Sequence, residues 1–78
     1  MNEQQIRAMV ADALAGIAPE VDLDTAGADQ DLRQALDLDS MDFLNLVIAL
    51  SQRTGRAVPE ADYPRLFTLA GMAAYFAH

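Results

Sequence analysis

The sequence predicts a small all-α protein, a four-helix bundle of three longer helices and one short helix with a long first loop. Apolar residues recur at three- and four-residue spacing in the longer segments, which is typical of one face of a helix. No segment alternates apolar and polar residues over the length of a strand. The 78 residues contain no cysteine and are 53% hydrophobic, so we expect a single domain, residues 1–78, that depends on packed apolar side chains rather than disulfides.

The first helix is predicted near the N-terminus, and Gly16 and Pro19 are expected to end it. Its apolar face contains Ile6, Met9, Val10, Ala13, Leu14 and Ile17. The connection that follows, residues 18–39, is long for so small a domain, which favours a function for it. A turn or two of helix is expected over residues 30–36. Isolated apolar residues are expected to fix this connection to the core: Val21, Leu23, Leu32, Leu36 and Leu38.

The strongest helix is predicted from Ser40 to Thr54, with Gly55 as its C-terminal stop. Its apolar residues cover more than half of the helix circumference, so this helix is expected to be central. These residues are Met41, Phe43, Leu44, Leu46, Val47, Ile48 and Leu50.

Two further helices are predicted in the last third of the chain. Pro59 is expected at the first position of a short helix, which Pro64 limits to about one turn. Thr68 is predicted to cap the last helix. The inward residues of that helix are expected to be Leu69, Met72, Ala73 and Phe76.

The net charge of −7 lies in one part of the chain. Residues 20–42 contain eight carboxylates and one arginine, Arg33. The net charge of this segment therefore equals that of the whole chain. This acidity argues against nucleic acid and anionic lipid as partners and favours proteins with basic patches. The chain has no long apolar run, and its start lacks the basic region of a signal peptide. We therefore expect a cytoplasmic monomer without membrane insertion.

Metal and hydrolase chemistry are disfavoured by the residues present. The segment from Asp22 to Gly27 begins like a calcium loop, but Ala26 and Arg33 occupy positions where that loop needs oxygen ligands. The one histidine is the last residue, His78, so neither a zinc site nor a Ser-His-Asp triad is expected. We expect no metal site and no catalytic residue.

Ser40, in the run from Leu38 to Asp42, has two interpretations. Serine is common at helix N-caps, because its hydroxyl accepts a hydrogen bond from the first turn. Alternatively, the hydroxyl is exposed, and a phosphate attached to it would meet the positive end of the helix dipole. The flanking Asp39 and Asp42 oppose a merely captured phosphate, but they are compatible with a covalently attached one.

A resemblance to a known family favours the second interpretation. Residues 31–44, with Asp39-Ser40-Met41 at the start of an apolar helix, resemble the phosphopantetheine attachment site of acyl carrier proteins. Further similarity at Val58-Pro59-Glu60 and Tyr75-Phe76 extends the resemblance over residues 2–77. It implies that a phosphopantetheinyl transferase moves 4′-phosphopantetheine from coenzyme A to Ser40. The thiol of that arm would carry acyl groups as thioesters, and the protein itself would be no catalyst.

The resemblance also implies two sets of interacting residues. A partner-binding surface is expected at Leu38, Asp39, Met41, Asp42 and Asn45. An interior that shelters the acyl chain is expected at Phe43, Leu44, Val47, Leu50, Val58, Leu66, Met72 and Tyr75. The partners implied are acyl-loading and acyl-using enzymes with basic patches, in fatty-acid, lipid or polyketide-type synthesis.

Departures from the family pattern favour a specialised, freestanding carrier. Its fatty-acid-synthesis members carry further acids along the central helix, where this chain has Asn45, Ser51, Gln52 and Arg53. An aminoacyl or peptidyl cargo is the first alternative, although aspartate before Ser40 favours an acyl group. An unmodified helical adaptor that docks through the same surface is the second. An acidic cation-binding protein is disfavoured by the incomplete calcium loop.

Overall fold

Four α-helices and two 3₁₀-helices form the part of the chain that the computed structural model describes, residues 2–77, and no strand occurs there. The elements are α1 (Glu3–Ala15), a 3₁₀ turn (Leu23–Thr25), α2 (Leu32–Ala35), α3 (Ser40–Thr54), a 3₁₀-helix (Glu60–Leu66) and α4 (Leu69–Tyr75). The predicted all-α bundle is confirmed. His78, which we expect to take no part in a metal site or triad, lies outside the described residues. None of the described helices has the length and apolar character needed to cross a membrane.

Helix α1 is fixed at its start by a capping box. Asn2 Oδ1 accepts a hydrogen bond from the N–H of Gln5 at 2.8 Å, and Gln5 Oε1 accepts one from the N–H of Asn2 at 3.0 Å. These bonds satisfy two N–H groups that the helix leaves unpaired. Gly16 ends the helix, as predicted. The apolar face of α1 packs against α3 and α4.

The long connection between α1 and α3 is held to the bundle by buried side chains and by backbone bonds. Of the apolar residues expected to fix it, Val21 is half-buried and the others are buried: Leu23, Leu32, Leu36 and Leu38. Arg7 Nη1 donates to the carbonyl oxygens of Leu23 and Ala26, both at 3.4 Å. The N–H of Leu32 donates to the carbonyl of Phe67 at 2.8 Å. The connection is therefore packed against the helices of the bundle.

Helix α3 contributes Phe43, Leu46, Val47 and Leu50 to the core. It ends at Gly55, whose φ of 71° is the left-handed conformation that glycine adopts without steric cost. The apolar residues of this helix were predicted to cover more than half of its circumference, and two of them, Met41 and Ile48, are exposed. They are discussed with the site below.

The segment after Pro59 differs from its prediction. Pro59 is the N-cap rather than the first helical residue, and the 3₁₀-helix runs for seven residues with Pro64 inside it. The predicted limit of one turn is wrong, since the ring of proline fixes φ near the value that a 3₁₀-helix uses. Thr68 caps α4 as predicted, with its Oγ1 accepting from the N–H of Gly71 at 3.0 Å.

Candidate functional site

Ser40 is the first residue of α3, and its side chain is exposed. The N-cap of this helix is Asp39, whose Oδ1 accepts a hydrogen bond from the N–H of Asp42 at 2.8 Å. The interpretation of Ser40 as the cap is therefore wrong. Within residues 2–77 the Ser40 hydroxyl has no hydrogen-bond partner. Its oxygen stands at a helix N-terminus and is not needed to hold the helix together.

The turn before Ser40 explains how the chain delivers this residue to the surface. Asp37 has a φ of 54°, in the left-handed region, which aspartate tolerates better than most residues with a Cβ. The N–H of Leu38 donates to the carbonyl of Arg33 at 2.9 Å and closes the turn after α2. Leu38 is itself buried. The buried Leu38 therefore fixes the chain two residues before the exposed Ser40.

Most of the residues predicted to bind partners lie at the surface around Ser40. Asp39, Met41 and Asn45 are exposed, Asp42 is half-buried, and only Leu38 is buried. Met41 is 61% exposed and Ile48 is 45% exposed. A spacing of seven residues places these two on one helix face, with Asn45 between them.

Ile48 was counted among the apolar residues of the helix but was not predicted as part of the partner-binding surface. The signal that could have found it is its spacing from Met41. We call the surface formed by Asp39, Met41, Asp42, Asn45 and Ile48 the α3 face.

An open groove lies beside Ser40, with a volume of about 700 Å³. It is lined by Arg33, Gln34, Leu38, Ser40, Phe43, Leu44, Glu60 and Tyr63. The lining combines charged and amide side chains with apolar ones, so a ligand that has both amide and hydrocarbon parts suits it. Sequence reasoning missed its polar members, because α2 and the 3₁₀-helix meet α3 only in the folded chain.

The eight residues predicted to shelter an acyl chain divide into two groups. Phe43 and Leu44 line the groove beside Ser40, and the others lie outside its lining. Leu50, Leu66 and Met72 are fully buried in the core. Val47 and Tyr75 are also buried, whereas Val58 is partly buried against the core.

Three aromatic side chains meet where the groove adjoins the core, and we call them the aromatic cluster: Phe43, Tyr63 and Phe67. The ring of Phe43 lies edge-on to Phe67, with centroids 5.4 Å apart, and edge-on to Tyr63, with centroids 6.4 Å apart. Such edge contacts are favoured by the quadrupoles of the rings. Phe43 belongs both to the core and to the groove lining, so the aromatic cluster marks the boundary between them.

Arg33 covers the aromatic cluster from the α2 side. Its guanidinium carbon lies 3.5 Å from the centroid of the Phe67 ring, a cation–π contact. Its Nε and Nη2 donate to Asp31 Oδ1 and Oδ2 at 3.1 and 2.6 Å. These hydrogen bonds are the main reason that the pKa of Asp31 lies below its usual value. Arg33 is therefore held in place by a carboxylate and a ring.

Tyr75 is buried in the core, outside the lining of the groove. Its hydroxyl donates to Asp62 Oδ2 at 2.8 Å, which raises the pKa of the Tyr75 phenol. The guanidinium carbons of Arg56 and Arg65 lie 5.4 and 4.9 Å from its ring centroid. The 3₁₀-helix thus supplies Asp62 and Arg65 to Tyr75, and Tyr63 to the aromatic cluster.

A second, smaller groove of about 350 Å³ lies on the acidic side of the site. Its lining includes four acidic side chains, Glu20, Asp22, Asp37 and Asp42. Among residues 2–77 no three potential ligands come close enough together to hold a metal ion. The four carboxylates give this side of the site a negative potential.

Comparison with known proteins identifies the family of this chain. No individual curated protein matches the chain. The model of the family described as "phosphopantetheine attachment site" matches residues 4–76. Carrier domains of that family are generally non-catalytic and are modified by a phosphopantetheinyl transferase. The exposed, unbonded Ser40 hydroxyl and the mixed lining of the groove both fit such a group. The chain belongs to the phosphopantetheine attachment site family, as the resemblance to acyl carrier proteins predicts, and its domain is where 4′-phosphopantetheine is covalently attached.

Proposed function

We propose that this protein is an acyl carrier protein and that Ser40 is its attachment residue. The observation that carries this proposal is the position of Ser40, exposed at the start of α3 with its hydroxyl unbonded. The chain has one other serine, Ser51, and its Oγ donates to the carbonyl of Arg56 at 2.6 Å. Ser51 also lies in the last turns of α3, where the helix dipole disfavours a phosphate.

The reaction on Ser40 is a phosphoryl transfer in which the protein is the substrate. The Ser40 Oγ forms a bond to the phosphorus that carries pantetheine in coenzyme A. The bond between the two phosphates of coenzyme A breaks, the nucleotide half leaves, and the hydroxyl proton passes to a base on the transferase. The attached arm supplies a terminal thiol, which carries the acyl group as a thioester.

The start of α3 stabilises the product of this reaction. A phosphodiester on Ser40 lies close to the N–H groups of the first turn, where negative charge is favoured by about 0.3–1 kcal/mol. Asp39 already satisfies the N–H of Asp42, so the phosphodiester need not replace a cap. Modification therefore leaves the hydrogen bonds at the start of α3 unchanged.

The α3 face is the surface that we propose for partner enzymes. Asp39 and Asp42 supply negative charge next to Ser40, while Met41 and Ile48 supply exposed apolar surface farther along. Leu38, although buried, fixes the turn that presents this surface. Charge complementarity orients an enzyme with a basic rim, and apolar contact adds affinity.

The cargo and setting follow from the same residues. Aspartate directly before Ser40 favours an acyl cargo over an aminoacyl or peptidyl one, in fatty-acid, lipid or polyketide-type synthesis. The acid-poor second half of α3 favours dedicated partners over those of housekeeping fatty-acid synthesis. The absence of cysteine is consistent with a reducing compartment such as the cytoplasm. We propose a monomer there.

Intact-mass measurement tests the proposal. The protein is incubated with coenzyme A, Mg²⁺ and a broad-specificity phosphopantetheinyl transferase. We expect the mass to rise by one phosphopantetheine group in the native chain and in Ser51→Ala, the matched control. Ser40→Ala should show no increase. An unmodified native chain would indicate the helical adaptor instead, and an adduct that persists in Ser40→Ala would place the attachment elsewhere.

A further inference from the structure

We propose that cargo attached at Ser40 lies in the open groove and is kept out of the helical core by the aromatic cluster, which suits the protein to short or polar acyl groups rather than long alkyl chains. This inference rests on the proposed attachment at Ser40. It replaces the expectation that a chain reaches the buried Val47, Leu50, Leu66 and Met72.

The first support is the position of Phe43. It lines the groove and belongs to the core, and it is 6% exposed. Leu50, Leu66 and Met72 have no exposed surface. A chain that started at Ser40 and passed Phe43 towards these residues would have to displace the ring from a packed position.

The second support is that the neighbours of Phe43 are themselves held. The Phe67 carbonyl accepts the N–H of Leu32 at 2.8 Å, and the Phe67 ring carries the Arg33 guanidinium. Arg33 is in turn fixed by two hydrogen bonds to Asp31. Opening the aromatic cluster therefore disturbs α2, the ion pair and the ring contacts together.

The third support is the chemistry of the groove itself. Arg33, Gln34 and Glu60 place polar groups along it, and the Tyr63 ring and Leu44 add apolar surface. Amide groups and short or oxygenated acyl chains can use such a lining. A long alkyl chain would lie partly against charged side chains and water, which gives it little burial.

Acylated forms of the whole protein test this inference. Acetyl and octanoyl arms are loaded onto Ser40 from the corresponding coenzyme A thioesters, and intact mass confirms each form. We expect hydroxylamine to cleave both thioesters at rates within about twofold of each other, because attack is blocked only in a sequestered fraction. Protection of the octanoyl form by about tenfold or more would overturn the inference.

Methyl spectra of the same samples give an independent readout. On exchange of acetyl for octanoyl, we expect resonances of Leu38 and Leu44 to move and those of Leu50, Leu66 and Met72 to stay. Movement of the core methyls with a higher Tm would show that the chain is buried. If no acyl form appears at all, the proposed attachment fails, which is a separate result.

Removal of the Phe43 ring is the third test. In Phe43→Ala, checked for retained helicity, the octanoyl thioester should become more resistant to hydroxylamine than the acetyl thioester. Phe76→Ala, which removes a buried ring outside both the groove lining and the aromatic cluster, should behave as the native chain. Equal cleavage in a folded Phe43→Ala would show that the ring is not what excludes the chain. If that variant does not fold, the native methyl spectra decide.

Discussion

At the scale of single residues, Gly71 is a position where α4 lies against the backbone of the 3₁₀-helix. A Cβ built on Gly71 would lie 2.2 Å from the carbonyl oxygen of Arg65. That contact is with backbone, so it cannot be relieved by turning a side chain. The absence of a Cβ is what lets α4 pack against the 3₁₀-helix.

We expect Gly71→Ala to lower the free energy of unfolding by about 1–3 kcal/mol, the usual cost of overpacking. Urea denaturation monitored by circular dichroism measures it. Gly27→Ala is the matched control, because its Cβ would meet only the Gln30 side chain, at 3.5 Å. Equal midpoints for the two variants would mean that the packing of α4 adjusts freely.

Individual residues also show what sequence could and could not predict. The left-handed φ of Asp37 is not indicated by its residue type, since glycine is the usual occupant of such a position. The groove positions of Arg33 and Glu60 depend on which elements meet in space. Ser40, by contrast, could be singled out from its neighbours in the sequence alone.

At the scale of elements, the start of α3 combines two functions in adjacent residues. Asp39 caps the helix and Ser40 offers a free hydroxyl. Sequence reasoning predicted the observed bounds of the helix, Ser40 and Thr54, because its apolar pattern and Gly55 define them. It considered only Ser40 as the cap and did not identify Asp39, since the choice depends on the backbone conformation at Asp39.

We expect Asp39→Ala to destabilise the protein by about 1 kcal/mol, the typical value of an N-cap. Asp39→Asn should largely restore stability, because an amide oxygen caps as well as a carboxylate. Ser40→Ala should leave the urea midpoint nearly unchanged. A loss in Ser40→Ala as large as that in Asp39→Ala would contradict the assignment of the cap.

The 3₁₀-helix shows a limit of local reasoning at the same scale. Proline rules written for α-helices predicted an early end at Pro64, whereas the segment continues to Leu66. Proline is compatible with this geometry, and side chains of the segment make contacts on two sides, with Tyr63 in the aromatic cluster and Asp62 and Arg65 at Tyr75. Tertiary contacts of this kind are not visible in the sequence.

At the scale of the whole molecule, charge is distributed unevenly around the bundle. Among residues 2–77, Arg7 forms an ion pair with Glu3, Arg33 with Asp31, and Arg53 with Asp12. The acidic side of the site gathers Glu20, Asp22, Asp37 and Asp42 in one groove. The resulting negative potential lies on the side of the molecule that presents Ser40.

We expect Asp42→Arg to slow modification of Ser40 by a broad-specificity transferase by about tenfold, with a weaker dependence on salt, because charge near the contact speeds association. Initial rates by intact mass at low and high ionic strength measure this effect. Asp29→Arg makes the same change in net charge outside the linings of both grooves. Equal slowing in both variants would mean that total charge, and not its place, determines docking.

Asp39 caps α3 while the Ser40 hydroxyl stays free, and this has a consequence for how modification and turnover of the protein are related. Because the carboxylate of Asp39 and not the hydroxyl of Ser40 caps the helix, the start of α3 does not depend on the proposed arm in order to form. A folding machinery or a protease would therefore meet the same native state whether the arm is present or absent. The proposed modification of Ser40 is therefore expected to leave the turnover of the protein unchanged. A serine that had to cap its own helix would instead tie the abundance of the protein to its modification.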